Sequence, residues 1–123
     1  MNKKISKHIF TGVMLLIVIL LFTDFDYLTH SLNAYWSVPD YYFRNKIPFG
    51  FLWGIVGLFA ASRVEAVWLK ALTVSGIIAV MLQIRYFIEG YPLSFVFSFL
   101  FFHFTILYVL SHFMFLVLRR YNQ

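Results

Sequence analysis

Apolar residues along this chain gather into four long runs that are separated by short polar stretches. The runs extend from about Ile9 to Thr23, from Ile47 to Ser62, from about Ala66 to Phe87 and from Leu93 to Leu118. A helix needs about 20 mainly apolar residues to cross a bilayer, because each residue adds about 1.5 Å. The pattern therefore predicts an all-α, polytopic membrane protein, a single domain over residues 1–123 with transmembrane helices at about 8–25, 47–63, 66–87 and 93–118.

The composition supports a membrane location and excludes several kinds of chemistry. Apolar residues make up 62% of the chain and charged residues only 12%, against about 45–50% and about 25% in soluble domains. The chain has no cysteine, which excludes disulfides, thiolate metal sites and iron–sulfur clusters. The net charge is +5, but the basic residues flank the apolar runs instead of forming one patch. They are typical of topology signals, and we expect no nucleic-acid partner.

The distribution of Lys and Arg predicts the orientation of the chain. If the N-terminus is inside, the inner side carries Lys3, Lys4, Lys7, Arg63, Lys70, Arg119 and Arg120, and the outer side carries Arg44, Lys46 and Arg85. Because cytoplasmic segments are enriched in Lys and Arg, we predict that both termini are cytoplasmic, in a prokaryotic plasma membrane. No small-residue cleavage site follows the first run, so we interpret it as a retained helix and not as a signal peptide.

The predicted connections differ in length and composition. The first outer connection, residues 24–46, is long and aromatic, and we expect it to lie on the membrane surface or to cap the helices. Its aromatic residues are Phe25, Tyr27, Tyr35, Trp36, Tyr41, Tyr42 and Phe43. Pro48 is expected in the first turn of the second helix. Gly90 and Pro92 predict a tight turn that ends the third helix and begins the fourth.

Small residues recur at helical spacing in the second and third runs. In a bilayer, helices associate where small side chains let their backbones approach closely. The second helix carries Gly50, Gly54, Gly57 and Ala61 on one face, and the third carries Ala71, Ser75 and Ala79. We predict that these two faces form the closest contact of the bundle; a glycine-lined permeation path is the alternative.

The fourth run presents two polar features on opposite faces. The predicted polar stripe consists of Ser94, Ser98, Thr105, Tyr108 and His112, while His103 lies about 180° away at the 100° per residue of a helix. Polar groups in a membrane helix belong against protein or water. We expect the stripe to face the other three helices and His103 to face a partner chain or a lipid.

Few residues suggest chemistry. Asp24, Asp26 and His30, with Asp40 further along, are candidate ligands of an outer metal site, although acidic residues at an outer helix end are ordinary. His103 is a candidate proton relay or metal or haem ligand, or a neutral side chain in an interhelical hydrogen bond. The chain has none of the common catalytic or cofactor-binding motifs, so we assign no catalytic residue and expect no cofactor.

Two further polar residues on the third helix have structural interpretations. Arg85 and Glu89 are four residues apart and are expected to form an ion pair; a contact of Arg85 with an anionic lipid or substrate is the alternative. Gln83 is expected to donate a hydrogen bond to a neighbouring helix.

Three classes of function are compatible with the sequence. We favour a small, non-enzymatic integral subunit of a larger membrane complex, in contact with lipids and with other subunits or copies of itself. The first alternative is a small homo-oligomeric transporter or channel. The second is a membrane enzyme or redox subunit that uses His103 or the outer Asp/His group.

Overall fold

The computed structural model describes residues 2–32 and 37–121, which form four helices and their connections. The helices are α1 (Lys3–Ser31), α2 (Asp40–Ala60), α3 (Val67–Ile88) and α4 (Leu93–Tyr121). Three of them, α1, α3 and α4, are long and apolar enough to cross a membrane. The chain is thus all-helical and has the composition of a membrane protein.

Successive helices run antiparallel, so each end of the bundle has a distinct character. Ser6 of α1 and Tyr121 of α4 approach within 3.2 Å through their hydroxyls, which places the start of α1 beside the end of α4. We call this end, with the α2–α3 turn, the basic end. At the opposite end the rings of Tyr42, Tyr86 and Phe95 are neighbours, and we call it the aromatic end.

The first connection is much shorter than predicted. The prediction of a loop over residues 24–46 was wrong, because α1 continues to Ser31 and α2 already begins at Asp40. The added turns are helical because they bury Asp26, His30, Tyr42 and Lys46. The predicted loop aromatics Tyr35 and Trp36 lie outside the described residues.

Pro48 lies inside α2, and its prediction as a first-turn residue was therefore wrong. A proline in a helix interior lacks one backbone hydrogen bond and costs about 3 kcal/mol. The helix continues on the N-terminal side of Pro48 because Tyr42 and Lys46 find partners in the bundle, which offsets this cost. The same extension makes α2 a helix of 21 residues.

The turn between α3 and α4 forms as predicted. Gly90 has φ +94°, a left-handed conformation that favours glycine. The Tyr91 N–H donates to the Tyr86 carbonyl and the Gly90 N–H to the Phe87 carbonyl, which together form a Schellman motif. Pro92 immediately precedes α4, and Arg85 and Glu89 form the predicted ion pair at 2.9 Å.

The glycine face of α2 packs on two helices. An added Cβ at Gly57 would lie 3.1 Å from the Cα of Val74 in α3, so backbones meet closely there. At Gly50 and Gly54 the nearest atoms belong instead to Ile19 and Leu15 of α1. The predicted approach of this face to α3 is thus seen at Gly57, whereas Gly50 and Gly54 pack against α1. Ala61 and the small residues Ala71, Ser75 and Ala79 of α3 are all buried.

The predicted orientation of α4 was also wrong. His103 is fully buried in this chain's own core, whereas Ser94, Ser98 and Thr105 are exposed and Tyr108 and His112 are half-buried. The Thr105 hydroxyl donates to the Phe101 carbonyl four residues earlier, which reduces the cost of facing outward. An imidazole cannot satisfy itself in this way, so His103 occupies the interior, where other helices supply partners.

Candidate functional site

The functional candidate is a network of buried polar side chains near the aromatic end, where all four helices contribute. On α2, Tyr42 and Lys46 continue the glycine face at steps of four residues, because Gly50 follows Lys46 by four. This spacing turns the Lys46 side chain into the bundle, where it is 1% exposed. Lys46, which the charge pattern assigns to the outer surface, is therefore an interior cation.

Asp26 of α1 is the counter-ion of Lys46. The Lys46 ammonium donates to Asp26 Oδ2, and the carboxylate is itself 1% exposed. The pair joins α1 to α2 across 20 residues of sequence. An isolated charge in an apolar interior is very costly, whereas an ion pair with further hydrogen bonds is tolerated.

His103 of α4 connects this pair to α3. Its Nε2 lies 2.8 Å from Asp26 Oδ1 and 3.3 Å from Lys46 Nζ. Its Nδ1 lies 2.7 Å from Gln83 Nε2. Gln83 thus forms the interhelical hydrogen bond expected of it. Asp26, Lys46, Gln83 and His103 come from four different helices, so the network can exist only in the assembled bundle.

Either neutral form of the His103 ring is satisfied by these neighbours. With the proton on Nε2, the ring donates to Asp26 and accepts from the Gln83 amide. With the proton on Nδ1, Nε2 accepts from Lys46, and Nδ1–H donates to Gln83 Oε1 after the amide turns over. Gln83 Oε1 is buried and has no hydrogen-bond partner among the described residues in the observed orientation. The site therefore accommodates either neutral tautomer of His103.

A row of ionisable side chains leads from the network toward the aromatic end. Asp26 Oδ1 lies 3.4 Å from His30 Nε2, and the same nitrogen lies 3.2 Å from the Tyr42 hydroxyl. The His30 ring stacks on Phe99, with centroids 4.3 Å apart, which holds its orientation. Tyr42, His30, Asp26 and His103 thus form a continuous row of groups that can donate and accept protons.

Aromatic rings complete the surroundings of Lys46. Its Nζ lies 4.2 Å from the ring centroid of Tyr42, 5.2 Å from that of Phe22 and 5.4 Å from that of Tyr86. Aromatic faces attract cations most strongly where water is excluded. The ammonium therefore lies in a cage built from the chain itself, which stabilises its charge in addition to Asp26.

A narrow cleft joins the network to the surface at the aromatic end. The cleft has a volume of about 10 Å³ and reaches Lys46, Tyr42 and Tyr86 from the exposed residues Tyr41 and Glu89. This volume is about that needed for one water molecule. Tyr86, whose hydroxyl is buried, lines this cleft beside Tyr42.

Toward the basic end, the network is closed by a mainly apolar layer. On each of α1, α3 and α4 the next interior residues are large and buried: Leu15, Ile19, Phe22, Val74, Ile78 and Leu107. Buried Ser75 bonds to its own helix. This layer separates the network from the basic end, whereas the cleft reaches the network at the aromatic end.

The structure brings together two of the four predicted metal ligands and separates the other two from them. Asp24 and Asp40 are exposed, whereas Asp26 and His30 come together with His103, with ligand atoms within 4.8 Å of one another. The Lys46 ammonium already bonds to the Asp26 carboxylate and contacts His103. Because the chain supplies its own cation there, the group does not favour a metal ion.

Comparison of the chain with protein family models, curated proteins and solved structures gives no match. Its functional assignment consequently depends on the geometry of its own residues.

Sequence reasoning identified Asp26, His30 and His103 separately but missed Lys46 and Tyr42 as interior groups. The available signal was the four-residue spacing that continues the glycine face past Gly50. The assumed start of α2 at residue 47 concealed this signal.

Tyr91 lies near the network but is partly exposed at the surface. Tyr91, in the α3–α4 turn, has its pKa raised by partial burial, with smaller contributions from Tyr41 and Glu89. Its ring stacks on Phe95 at 4.7 Å between centroids. Tyr91 thus packs against the aromatic end without joining the row of proton-exchanging groups.

Proposed function

We propose that this chain is a small membrane transporter that moves protons, with the Asp26–Lys46–His103 network as its proton-binding site. The observation that carries the proposal is the burial of a carboxylate, an ammonium and an imidazole together among apolar helices. Ionisable groups at such positions are costly and mark ion or proton pathways in membrane proteins. We propose a transporter in place of an accessory subunit because His103 packs inside its own chain.

The size of the site favours a proton over a larger substrate. The cleft that reaches Lys46 has room for about one water, and the row from Tyr42 to His103 consists of groups that exchange protons. A proton that enters at Tyr42 can pass through His30 and Asp26 to His103 by small rotations. The apolar layer then requires a conformational change before release toward the basic end, as in alternating access.

The transporter is proposed to span the membrane four times, with both termini in the cytoplasm. At 1.5 Å per residue, α2 is about 30 Å long, which matches the hydrocarbon core. The burial of Lys46 leaves only Arg44 and Arg85 as surface cations near the aromatic end, which strengthens the bias toward a cytoplasmic basic end. A prokaryotic plasma membrane is the proposed location.

Reporter fusions test this topology. A fusion after Glu65 and another at Gln123 should report a cytoplasmic location, while a fusion near Asn33 should report an external one. An external C-terminus would contradict the four-span arrangement.

Proton flux into liposomes tests the transport activity. Protein reconstituted with an internal pH dye should move protons faster than empty liposomes when a potassium diffusion potential is applied. His103→Leu should abolish the added flux, because the ring that connects Asp26 to Gln83 is lost. Thr105→Val is the matched control, since Thr105 is exposed on the same helix. Equal flux in wild-type and empty liposomes, or unchanged flux in His103→Leu, would refute the proposal.

Self-association or assembly with other subunits remains a second proposal, and the outward polar stripe of α4 favours it. Ser94, Ser98 and Thr105 lie on a surface that would otherwise face lipid, and polar side chains between membrane helices form intersubunit hydrogen bonds. Purification in mild detergent distinguishes the cases: a pure homo-oligomer supports a transporter built from copies, and co-purifying foreign subunits support a larger complex. A monomer would contradict both.

A further inference from the structure

A large groove opens at the basic end, on the far side of the apolar layer from the charged network. It has a volume of about 1000 Å³ and is lined by residues of all four helices. Its walls are mainly apolar and include Leu58 of α2 with Phe115 and Leu118 of α4. None of these residues belongs to the proposed proton site, so the groove needs its own explanation.

The rim of the groove carries an excess of positive charge. Lys70 and Arg119 line it together with His8, and Glu65 is the acidic residue among its lining residues. The Lys70 ammonium lies 5.7 Å from the ring centroid of Phe115, so its side chain extends along the apolar wall. A cationic rim above an apolar groove complements a molecule with an anionic head and a hydrocarbon tail.

The groove has open space beside Gly12. An added Cβ at this position would meet no atom within 4 Å, in contrast to the tight contacts at Gly54 and Gly57. Gly12 itself lines the groove. The glycine is therefore not needed for helix packing, and its missing side chain leaves room for an occupant.

We infer that the groove binds one anionic phospholipid. The phosphate accepts hydrogen bonds from Lys70 and Arg119, and an acyl chain lies against Leu58, Phe115 and Leu118. Basic pockets between membrane helices attract anionic head groups, and hydrocarbon chains fill the apolar space that water would otherwise occupy. This inference is independent of the proton site, which lies beyond the apolar layer.

Native mass spectrometry of the whole protein in mild detergent tests the inference with phosphatidylglycerol and phosphatidylcholine as probes. We expect one phosphatidylglycerol to bind at least tenfold more tightly than phosphatidylcholine. The double variant Lys70→Gln/Arg119→Gln should lose about tenfold or more in phosphatidylglycerol affinity, because each basic residue near an anionic surface contributes roughly fivefold. Gly12→Leu should reduce the binding of both lipids, because its side chain fills the groove.

The matched control is Lys3→Gln/Lys4→Gln, which removes two charges from the same end of the bundle outside the groove. This control should retain wild-type affinity, and helical content measured by circular dichroism should be the same in all variants. Equal losses in the control and in Lys70→Gln/Arg119→Gln would refute a defined site, as would unchanged binding in Gly12→Leu. Displacement of the lipid by millimolar inorganic phosphate would also overturn the inference, since it would assign the rim to a free anion.

Discussion

The two halves of the bundle are held together by different interactions, although one face of α2 runs through both. Near the aromatic end this face presents Tyr42 and Lys46, which contact charged and polar groups of the other helices. Toward the basic end it presents Gly50, Gly54 and Gly57, which have no side chains and let α1 and α3 approach. The first half is joined by hydrogen bonds and charge, and the second by close backbone packing.

The two kinds of interaction are those expected of helices in a lipid bilayer. In a bilayer, burial of apolar surface does little to drive helices together, because lipid is as apolar as the helix interior. Specific contacts must supply the selectivity, either through polar groups that have no alternative partner or through closely fitting surfaces. The charged half contains ionisable side chains, whereas the glycine face contains none. The proposed proton site therefore belongs to the first half, and the proposed role of the second is structural.

Removal of one member of the ion pair should have the largest effect on stability. Asp26→Leu leaves the Lys46 ammonium buried without its counter-ion, which costs about 3–5 kcal/mol in the free energy of unfolding. Thermal unfolding in detergent measures this loss. Asp24→Leu is the control, because Asp24 is exposed nearby, and it should change stability little.

The combined variant Asp26→Leu/Lys46→Met sharpens this test. Stability should return most of the way to the wild-type value, because no charge is left unpaired. If the single and double variants were equally unstable, the damage would come from lost packing and not from charge.

Substitutions in the glycine half should have the next largest effect. Gly57→Ala should destabilise the bundle by about 1–3 kcal/mol, because the new methyl group would lie against the Val74 backbone, which cannot rotate away. Gly54→Ala should cost less, since it meets the end of the Leu15 side chain. Thermal unfolding of both variants checks the order, and the reverse order would contradict the packing described here.

Gln83→Leu should have a smaller effect, about 1 kcal/mol or a little more. The substitution leaves His103 Nδ1 without its hydrogen bond, but it also removes the unpartnered Gln83 Oε1. Nitrogen-15 NMR of histidine-labelled protein should show the His103 ring fixed as the Nε2–H form, because Nδ1–H would have no acceptor. Gln83→Glu, which can accept from Nδ1–H, is the matched comparison. An unchanged tautomer distribution in both variants would contradict a role of Gln83 in setting the His103 tautomer.

Thr105→Val should have the smallest effect, within about 0.5 kcal/mol. Its hydroxyl donates to the Phe101 carbonyl of its own helix at 2.9 Å, and the side chain is exposed. Thermal unfolding compares this variant with His103→Val, which removes a fully buried partner of Asp26 and should be far less stable. Similar losses in the two variants would mean that the polar stripe, and not His103, faces the interior.

Much of the architecture could be predicted from local features of the sequence. Helical content and the apolar runs follow from composition, and the α3–α4 turn follows from Gly90 and Pro92, because a left-handed residue and a missing N–H act over a few residues. The Arg85–Glu89 ion pair could also be predicted, because the two residues are four apart at the C-terminal end of α3. The ends of α1 and α2 could not be predicted in this way, because their polar residues resemble a loop until their partners are known.

The tertiary structure alone decided which polar groups lie inside. By sequence, the five-residue stripe of α4 is a better candidate for the interior than the single His103. The Thr105 hydroxyl bonds to its own helix, however, whereas the His103 imidazole contacts Asp26, Lys46 and Gln83. Since these residues belong to three other helices, the site depends on how four helices meet, and the periodicity of α4 by itself does not reveal it.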